Sequence, residues 1–198
     1  MKRIALILLA VLATGVFANN SRKVILQVIA PESAWSRSKV AEKLIIHLSR
    51  DARYNVIEPD FSAETQPPFP EQRYNLDSLM NWGTELGGRY LMLIDVHSQR
   101  LETRKTFQIP LFFHKYQTMA VMEGEFRCLD LSRGRMLVAE PFRLEEKGPR
   151  CMQADPDENA YDSDLQLPAD QKILLLDKLE EKLADHLSRR LSAVTNGR

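Results

Sequence analysis

The order of hydrophobic and polar positions divides the first half of the chain into alternating strands and helices. Residues 22–30 and 89–97 are almost continuously apolar, which is typical of strands buried on both faces of a sheet. Residues 36–50 carry apolar side chains at three-to-four spacing, which predicts an amphipathic helix. Residues 54–58 predict a short strand that Pro59 ends.

Two further helices are marked by their ends and by their apolar stripes. Asn75 predicts the N-cap of a second helix, and Gly87 and Gly88 predict its end. Residues 169–194 predict a long third helix. Its stripe consists of large aliphatic residues, namely Ile173, Leu176, Leu179, Leu183, Leu187, Leu191 and Val194.

The pattern changes to alternation over residues 117–131, which together with a second arm over residues 135–144 predicts a β-hairpin. Residues 130–134 supply the turn, and Gly124 is predicted to be a bulge at which the inward-facing parity switches. Pro141 indicates that the second arm is an edge strand, because proline cannot donate to a ladder.

The resulting element order is β-α-β-α-β-β-β-α, which predicts a mixed α/β fold. A strand-helix-strand start favours parallel pairing through a right-handed crossover, and the hairpin adds antiparallel strands. We therefore expect a mixed sheet of about five strands with helices packed on it. The segments 59–75, 100–116 and 145–168 are predicted to be irregular.

The N-terminus has the pattern of a cleaved export signal over residues 1–18. Lys2 and Arg3 precede a short apolar run, and Val16 and Ala18 stand at the −3 and −1 positions of a cleavage site. The run is shorter than the roughly 20 residues of a membrane-spanning helix. We expect a periplasmic protein with one domain over residues 19–198 and no transmembrane span in the mature chain.

Charge and composition exclude several classes of function. The sequence has 27 basic and 27 acidic residues, 44% hydrophobic residues and 27% charged residues. These values are near the globular average, and they argue against a nucleic-acid partner, which requires a basic excess. Cys128 and Cys151 form an even pair in an exported chain, so a disulfide between them is predicted over two separate buried thiols.

Motifs of catalysis and of metal binding are missing from the sequence. It contains no Gly-x-Ser-x-Gly, His-Glu-x-x-His, Walker or Gly-x-Gly-x-x-Gly motif, and its four histidines lack zinc-site spacing. Asp155, Asp157 and Asn159 match three positions of a calcium loop. Ala160 replaces its glycine and Gln166 its glutamate, which favours a solvated loop. We expect no cofactor, no metal and no enzyme activity.

The segment 107–116 is the most unusual part of the chain, because it is rich in aromatic and aliphatic residues between basic flanks. It could cap the core as an extended strand, or it could be an exposed patch for a partner. Aromatic anchors beside arginines are typical of interface hot spots. Our hypothesis is that Phe112 and Phe113 dock onto an envelope protein, steered by Arg100, Arg104 and Lys105.

Four segments, at residues 54–58, 88–93, 126–130 and 134–139, resemble a family of bacterial envelope proteins in sequence and order. This family includes the amino-terminal domain of the Tol-system periplasmic protein, the activator lipoproteins of penicillin-binding proteins, flagellar envelope accessory proteins and the curli secretion channel subunit. The resemblance implies a non-enzymatic module that docks onto an envelope protein or complex. The first cysteine is Cys128, so the chain lacks the lipid-attachment cysteine of the lipoprotein members. The alternatives are a periplasmic protein that binds a small ligand or calcium, and a hydrolase whose site forms only in the fold.

Overall fold

A computed structural model describes residues 22–30, 37–59, 69–71, 74–109, 113–153 and 167–196. The described chain forms a five-stranded mixed sheet in the order β2-β1-β3-β4-β5, with three helices packed on it, as predicted. The elements in chain order are β1 (Arg22–Ile29), α1 (Arg37–Ser49), β2 (Tyr54–Ile57), α2 (Leu76–Glu85), β3 (Tyr90–Ile109), β4 (Phe113–Asp130), β5 (Arg135–Gln153) and α3 (Ala169–Asn196). The export signal over residues 1–18 lies outside the described residues, as does most of the predicted linker 59–75. No helix among the described residues is long and apolar enough to cross a membrane.

The parallel half of the sheet is centred on β1, which pairs with β2 on one side and with β3 on the other. Val24, Ile25 and Leu26 are fully buried. This confirms the prediction of a strand covered on both faces, since successive side chains of a strand point to opposite faces.

One face of the sheet packs against α1 and α3 and forms the larger part of the core. Leu26 and Met92 of the sheet meet Leu44 of α1 and Leu183 of α3 in one buried cluster. Lys43 joins the two helices through an ion pair of 2.6 Å from its Nζ to Asp177 Oδ1. The predicted stripe of α3 is buried at Leu176, Leu179, Leu183, Leu187 and Leu191. Val194 is partly buried, whereas Ile173 is 40% exposed.

The other face is covered by α2, but only near the parallel strands. Leu79 and Trp82 of α2 pack with Ile25 and Leu91 in a second, smaller buried cluster. Asn75 caps the helix as predicted, because its side-chain oxygen accepts from the backbone N–H groups of the two residues after Leu76. Gly87 follows the helix with φ of 68°, a left-handed conformation that glycine adopts without strain.

Of the segments predicted to be irregular, 100–116 belongs largely to strands, and 145–168 begins with the last part of a strand. β3 continues to Ile109, β4 begins at Phe113, and β5 continues to Gln153. The prediction of an irregular segment over 100–116 failed because β3 contains a bulge, where the register with β4 shifts between Val96 and Ser98. The extra residue inverts the alternation of inward and outward side chains, so the second half of β3 does not continue the pattern of the first.

The predicted bulge at Gly124 is wrong, because the bulge lies on the neighbouring strand β3. Gly124 pairs in register with Val96 and Phe142. A Cβ atom at Gly124 would lie 2.3 Å from the carbonyl oxygen of Asp95 and 2.7 Å from Cζ of the Phe142 ring. Glycine is present here because the backbone of β3 and an aromatic ring both approach this position closely.

The predicted disulfide between Cys128 and Cys151 is wrong, because Cys128 is a free and fully buried thiol. The register places Cys128 opposite Val138, whereas Cys151 lies opposite Tyr116 near the start of β4. The positions 116 and 128 are about 40 Å apart along an extended strand, given a rise of roughly 3.3 Å per residue. A disulfide requires Cα atoms within about 7 Å. The prediction failed because β5 continues along β4 where an irregular loop was expected.

Candidate functional site

The antiparallel strands extend beyond the parallel half of the sheet as a three-stranded ribbon. We call this part the distal ribbon and define it as residues 98–109 of β3, 113–123 of β4 and 143–153 of β5. It begins just after the bulge, where Ser98 pairs with Glu123 and Glu123 pairs with Arg143. At its far end Ile109 pairs with Phe113, so three residues join β3 to β4.

The two faces of the distal ribbon have different environments. One face turns toward α3, where Gln99 Nε2 donates to Glu180 Oε1 over 3.3 Å and Leu101 packs on the main core. The opposite face, which we call the open face, bears Arg100, Glu102 and Arg104. None of the described helices packs on the open face, because α1 and α3 lie on the other side and α2 covers only Ile25, Leu91 and their neighbours.

Six charged residues on the open face form a closed ring of ion pairs, which we call the ionic ring. Going round the ring, every arginine contacts two glutamates and every glutamate contacts two arginines. The pairs are Arg100 Nε–Glu102 at 2.8 Å, Arg100 Nη1–Glu123 at 3.0 Å, Arg143 with Glu123, Arg143 Nη2–Glu145 at 3.0 Å, Arg104 Nη2–Glu145 at 2.9 Å and Arg104 Nη2–Glu102 at 3.0 Å.

The ionic ring covers apolar side chains of the central strand. Val121 lies opposite Arg100 on one side and Glu145 on the other, and it is fully buried although no described helix lies over it. Met119 is 4% exposed and pairs with Glu102. The aliphatic stems of long charged side chains can shield such residues from water while the charged groups stay at the surface.

The arginines keep the glutamates of the ionic ring ionised. Hydrogen bonds from Arg104 lower the pKa of Glu102, and hydrogen bonds from Arg100 lower the pKa of Glu123. The pKa of Glu145 is lowered by hydrogen bonds first from Arg104 and then from Arg143. The ring is therefore an electrically balanced surface, with three positive and three negative side chains.

A second polar cluster continues the open face toward α2. Tyr74 donates from its hydroxyl to Asp95 Oδ2 over 3.0 Å, and the Arg127 guanidinium lies 4.7 Å from the centre of the Tyr74 ring. Arg127 also contacts Glu125 at 2.7 Å, and this hydrogen bond lowers the pKa of the Glu125 carboxyl. A general acid needs a raised pKa, so Glu125 is unsuited to that role.

The structure brings together only part of the predicted docking residues. Arg100 and Arg104 share the open face, where their charges are balanced by the ionic ring. Lys105 pairs with Tyr116 on the opposite face, because neighbouring residues of a strand alternate. Phe113 begins β4 and pairs with Ile109 through the backbone, whereas Phe112 lies outside the described residues.

The acidic partners in the ionic ring were missed by sequence reasoning. The alternation Arg100-Glu102-Arg104, two residues apart, is a signal for one face of a strand that carries alternating charge. The same signal recurs at Arg143 and Glu145. Their convergence with Glu123 depends on the strand register, which no local pattern contains.

The histidines considered for metal binding belong to no metal-binding cluster among the described residues. The part of the chain that the structure describes has no group of three His, Cys, Asp or Glu side chains placed to hold a metal ion. His47 Nε2 instead lies 2.7 Å from Glu181 Oε1 between α1 and α3. The acidic loop 155–164 lies outside the described residues.

One comparison with a solved structure supports the fold. The chain is similar to a hypothetical protein from Chlamydia trachomatis, with a TM-score of 0.52 and 11% identity over 90% of this chain and 99% of that one. A protein of a family of unknown function from Xanthomonas campestris aligns with a TM-score of 0.49 and 8% identity, over 90% of this chain and 87% of that one. TolB from Acinetobacter baumannii gives a TM-score of 0.36 and 10% identity over 64% of this chain and 24% of that one. No protein-family model and no curated protein sequence matches the chain. At these identities the likeness concerns the fold alone.

Proposed function

We propose that the protein is a non-catalytic module of the bacterial cell envelope that binds or assembles an envelope protein complex through the distal ribbon. The observation that carries the proposal is the open face itself, where the ionic ring holds an ordered three-stranded surface that no described helix covers. The export pattern of residues 1–18 and the family resemblance support an envelope location.

The ion pairs of the ionic ring change the roles that we propose for the predicted docking residues. Arg100 and Arg104 are paired with glutamates, so they order the ribbon more than they attract a partner from a distance. Phe113 begins β4 at the end of the ribbon farthest from the parallel strands, and Phe112 precedes it in the sequence. We propose that this apolar end makes the principal contact and that the open face beside it aligns the partner.

The test is a double substitution, Phe112→Ser with Phe113→Ser, followed by copurification from envelope extracts. We expect loss of a defined envelope complex, while circular dichroism and the melting temperature stay nearly unchanged. The matched control is Ile173→Ser with Leu174→Ser, an adjacent apolar pair on α3 whose members are 40% and 54% exposed.

Three outcomes would contradict the proposal. If the phenylalanine variant lost much of its stability, the pair would belong to the core and not to a docking surface. If the control variant lost the complex equally, binding would depend on exposed apolar residues in general. Retention of the complex by the phenylalanine variant would remove this end of the ribbon as the contact.

A further inference from the structure

Three arginines converge at the end of the sheet opposite to the tip of the distal ribbon. Arg22 opens β1, Arg89 immediately precedes β3, and Arg133 lies in the turn between β4 and β5. Together with Tyr90, Asp130 and Thr195 they line a recess of about 80 Å³. A water molecule takes about 30 Å³ in the liquid, so the recess has room for a small ion.

The backbone fixes the positions from which these arginines enter the recess. The N–H of Arg89 donates to the carbonyl of Lys23 over 2.8 Å, and the N–H of Leu131 donates to the carbonyl of Arg89 over 2.9 Å. Arg22 donates from Nη1 to the carbonyl of Thr195 over 3.1 Å, which ties β1 to the end of α3. The three positions are therefore held by the sheet and by α3.

The electrostatics of this recess differ from those of the ionic ring and of the polar cluster around Tyr74. Arg100, Arg104 and Arg127 each contact a carboxylate at 3.0 Å or less. Around the recess, neither Arg22 nor Arg89 contacts a carboxylate among the described residues, and Arg133 lies 3.8 Å from Asp130.

The lining of the recess therefore has an excess of two positive charges, from three arginines and one aspartate. Opposing groups are also present. Asp130 is 3% exposed, and the last carbonyls of α3 carry partial negative charge. Asp130 already accepts from the Ser132 hydroxyl over 2.6 Å. Each guanidinium has five N–H donors, so most donors of Arg22 and Arg133 remain for a ligand.

We propose that this recess binds a phosphate group, either as the free ion or at the end of a lipid headgroup. Planar guanidinium forks match the geometry of phosphate oxygens, and three of them on separate segments can contact different oxygens of one tetrahedral anion. The site is at the opposite end of the sheet from the docking surface of the proposed function and does not depend on it.

The experiment compares binding of inorganic phosphate with binding to vesicles. The purified protein is titrated with phosphate and followed by its melting temperature, which rises when a ligand binds only the folded state. In parallel, phosphatidylcholine vesicles with and without phosphatidic acid are sedimented with the protein. A rise in melting temperature identifies the free ion as a ligand, and sedimentation only with phosphatidic acid identifies the lipid headgroup.

Three variants make both measurements specific to the recess. Arg89→Gln with Arg133→Gln should weaken binding at least tenfold, while Arg22 keeps its contact with α3. Arg150→Gln, an exposed arginine of the distal ribbon, makes a single charge change elsewhere and should bind like the wild type. Asp130→Asn removes the one carboxylate of the recess and should strengthen binding several-fold. If neither probe binds, or if the double variant binds as tightly as the wild type, the proposal is wrong.

Discussion

The parallel half of the sheet and the distal ribbon share the strand β3 but are stabilised differently. Around β1 both faces are covered, by α1 and α3 on one side and by α2 on the other, and all buried residues of the strand except Gln27 are apolar. In the distal ribbon, the described helices cover only the face toward α3. Its other face shields Val121 with the ionic ring. The comparison teaches that a sheet can keep one face free of helices if paired long side chains cover its apolar residues.

The side chains of the two regions therefore differ in how much each contributes to the stability of the fold. In the covered half, each buried leucine contributes about 1.5–3 kcal/mol through removal from water. On the open face, the ion pairs are in contact with solvent and contribute much less. Substitutions in the two halves should therefore differ strongly in their effect on stability.

The largest expected effect is that of Leu183→Asp in the covered half. Leu183 is fully buried in α3, so the substitution removes an apolar contact and places an unpaired charge in the core. We expect several kcal/mol of destabilisation, which is comparable with the total stability of about 5–15 kcal/mol of a domain, and hence unfolding or aggregation. Ile173→Asp on the same helix is the control and should change the stability by about 0.5 kcal/mol or less. An unchanged melting temperature for Leu183→Asp would show that the stripe of α3 is not core.

The second effect concerns the reactivity of Cys128. Burial, and then the charge of Asp130, raise the pKa of this thiol from 9.0 to about 12. At pH 8 the thiolate fraction should fall about a thousandfold, because each pKa unit changes it tenfold. In a Cys151→Ser background, the native protein should therefore react slowly with a thiol reagent, and the unfolded protein should react at once. Rapid labelling of the native protein would contradict the tight packing of the covered half.

The third effect tests the boundary between the two halves at Gly124. Gly124→Ala places a methyl group 2.3 Å from the Asp95 carbonyl oxygen, so strands or the Phe142 ring must shift. We expect the free energy of unfolding, measured with urea, to fall by about 1–3 kcal/mol. Gly134→Ala is the control, since no atom lies within 4 Å there and only its φ of 62° opposes the change. Gly134→Ala should lower the free energy of unfolding by about 1 kcal/mol. If both variants lost the same free energy of unfolding, the Phe142 ring would be able to move away from the added methyl group without cost.

The smallest effect is the pH dependence of the ionic ring. The pKa values of Glu102, Glu123 and Glu145 are lowered in the folded protein, so at acid pH the unfolded chain binds more protons than the folded one. The stabilisation is complete above the ordinary value of 4.5 and is lost as the pH falls through the folded pKa. Converting all three glutamates to glutamine should flatten this part of the stability profile. An unchanged slope below pH 4.5 would show that these ion pairs do not stabilise the fold.

The sequence predicted those parts of the fold in which local pattern and environment agree. For the helix α1, the N-cap at Asn75 and the buried strand β1, the apolar or capping residues that determine the structure lie within the element itself. The lengths of β3 and β5 could not be predicted, because one extra residue between Val96 and Ser98 inverts the alternation in β3. The ionic ring was missed for the same reason, since Glu123 meets Arg100 and Arg143 only through the register.

The contacts of Thr195 near the end of α3 have a consequence for the order of folding. Its carbonyl binds Arg22 and its hydroxyl binds the Tyr54 hydroxyl at 2.5 Å, so these bonds close chain separations of 173 and 141 residues. Closing long loops costs entropy before any contact compensates, whereas β3, β4 and β5 are neighbours in sequence and can pair early. We therefore expect β1, the first of the described strands, to be among the last of them to reach its full set of contacts, because these include β3 and the final turn of α3.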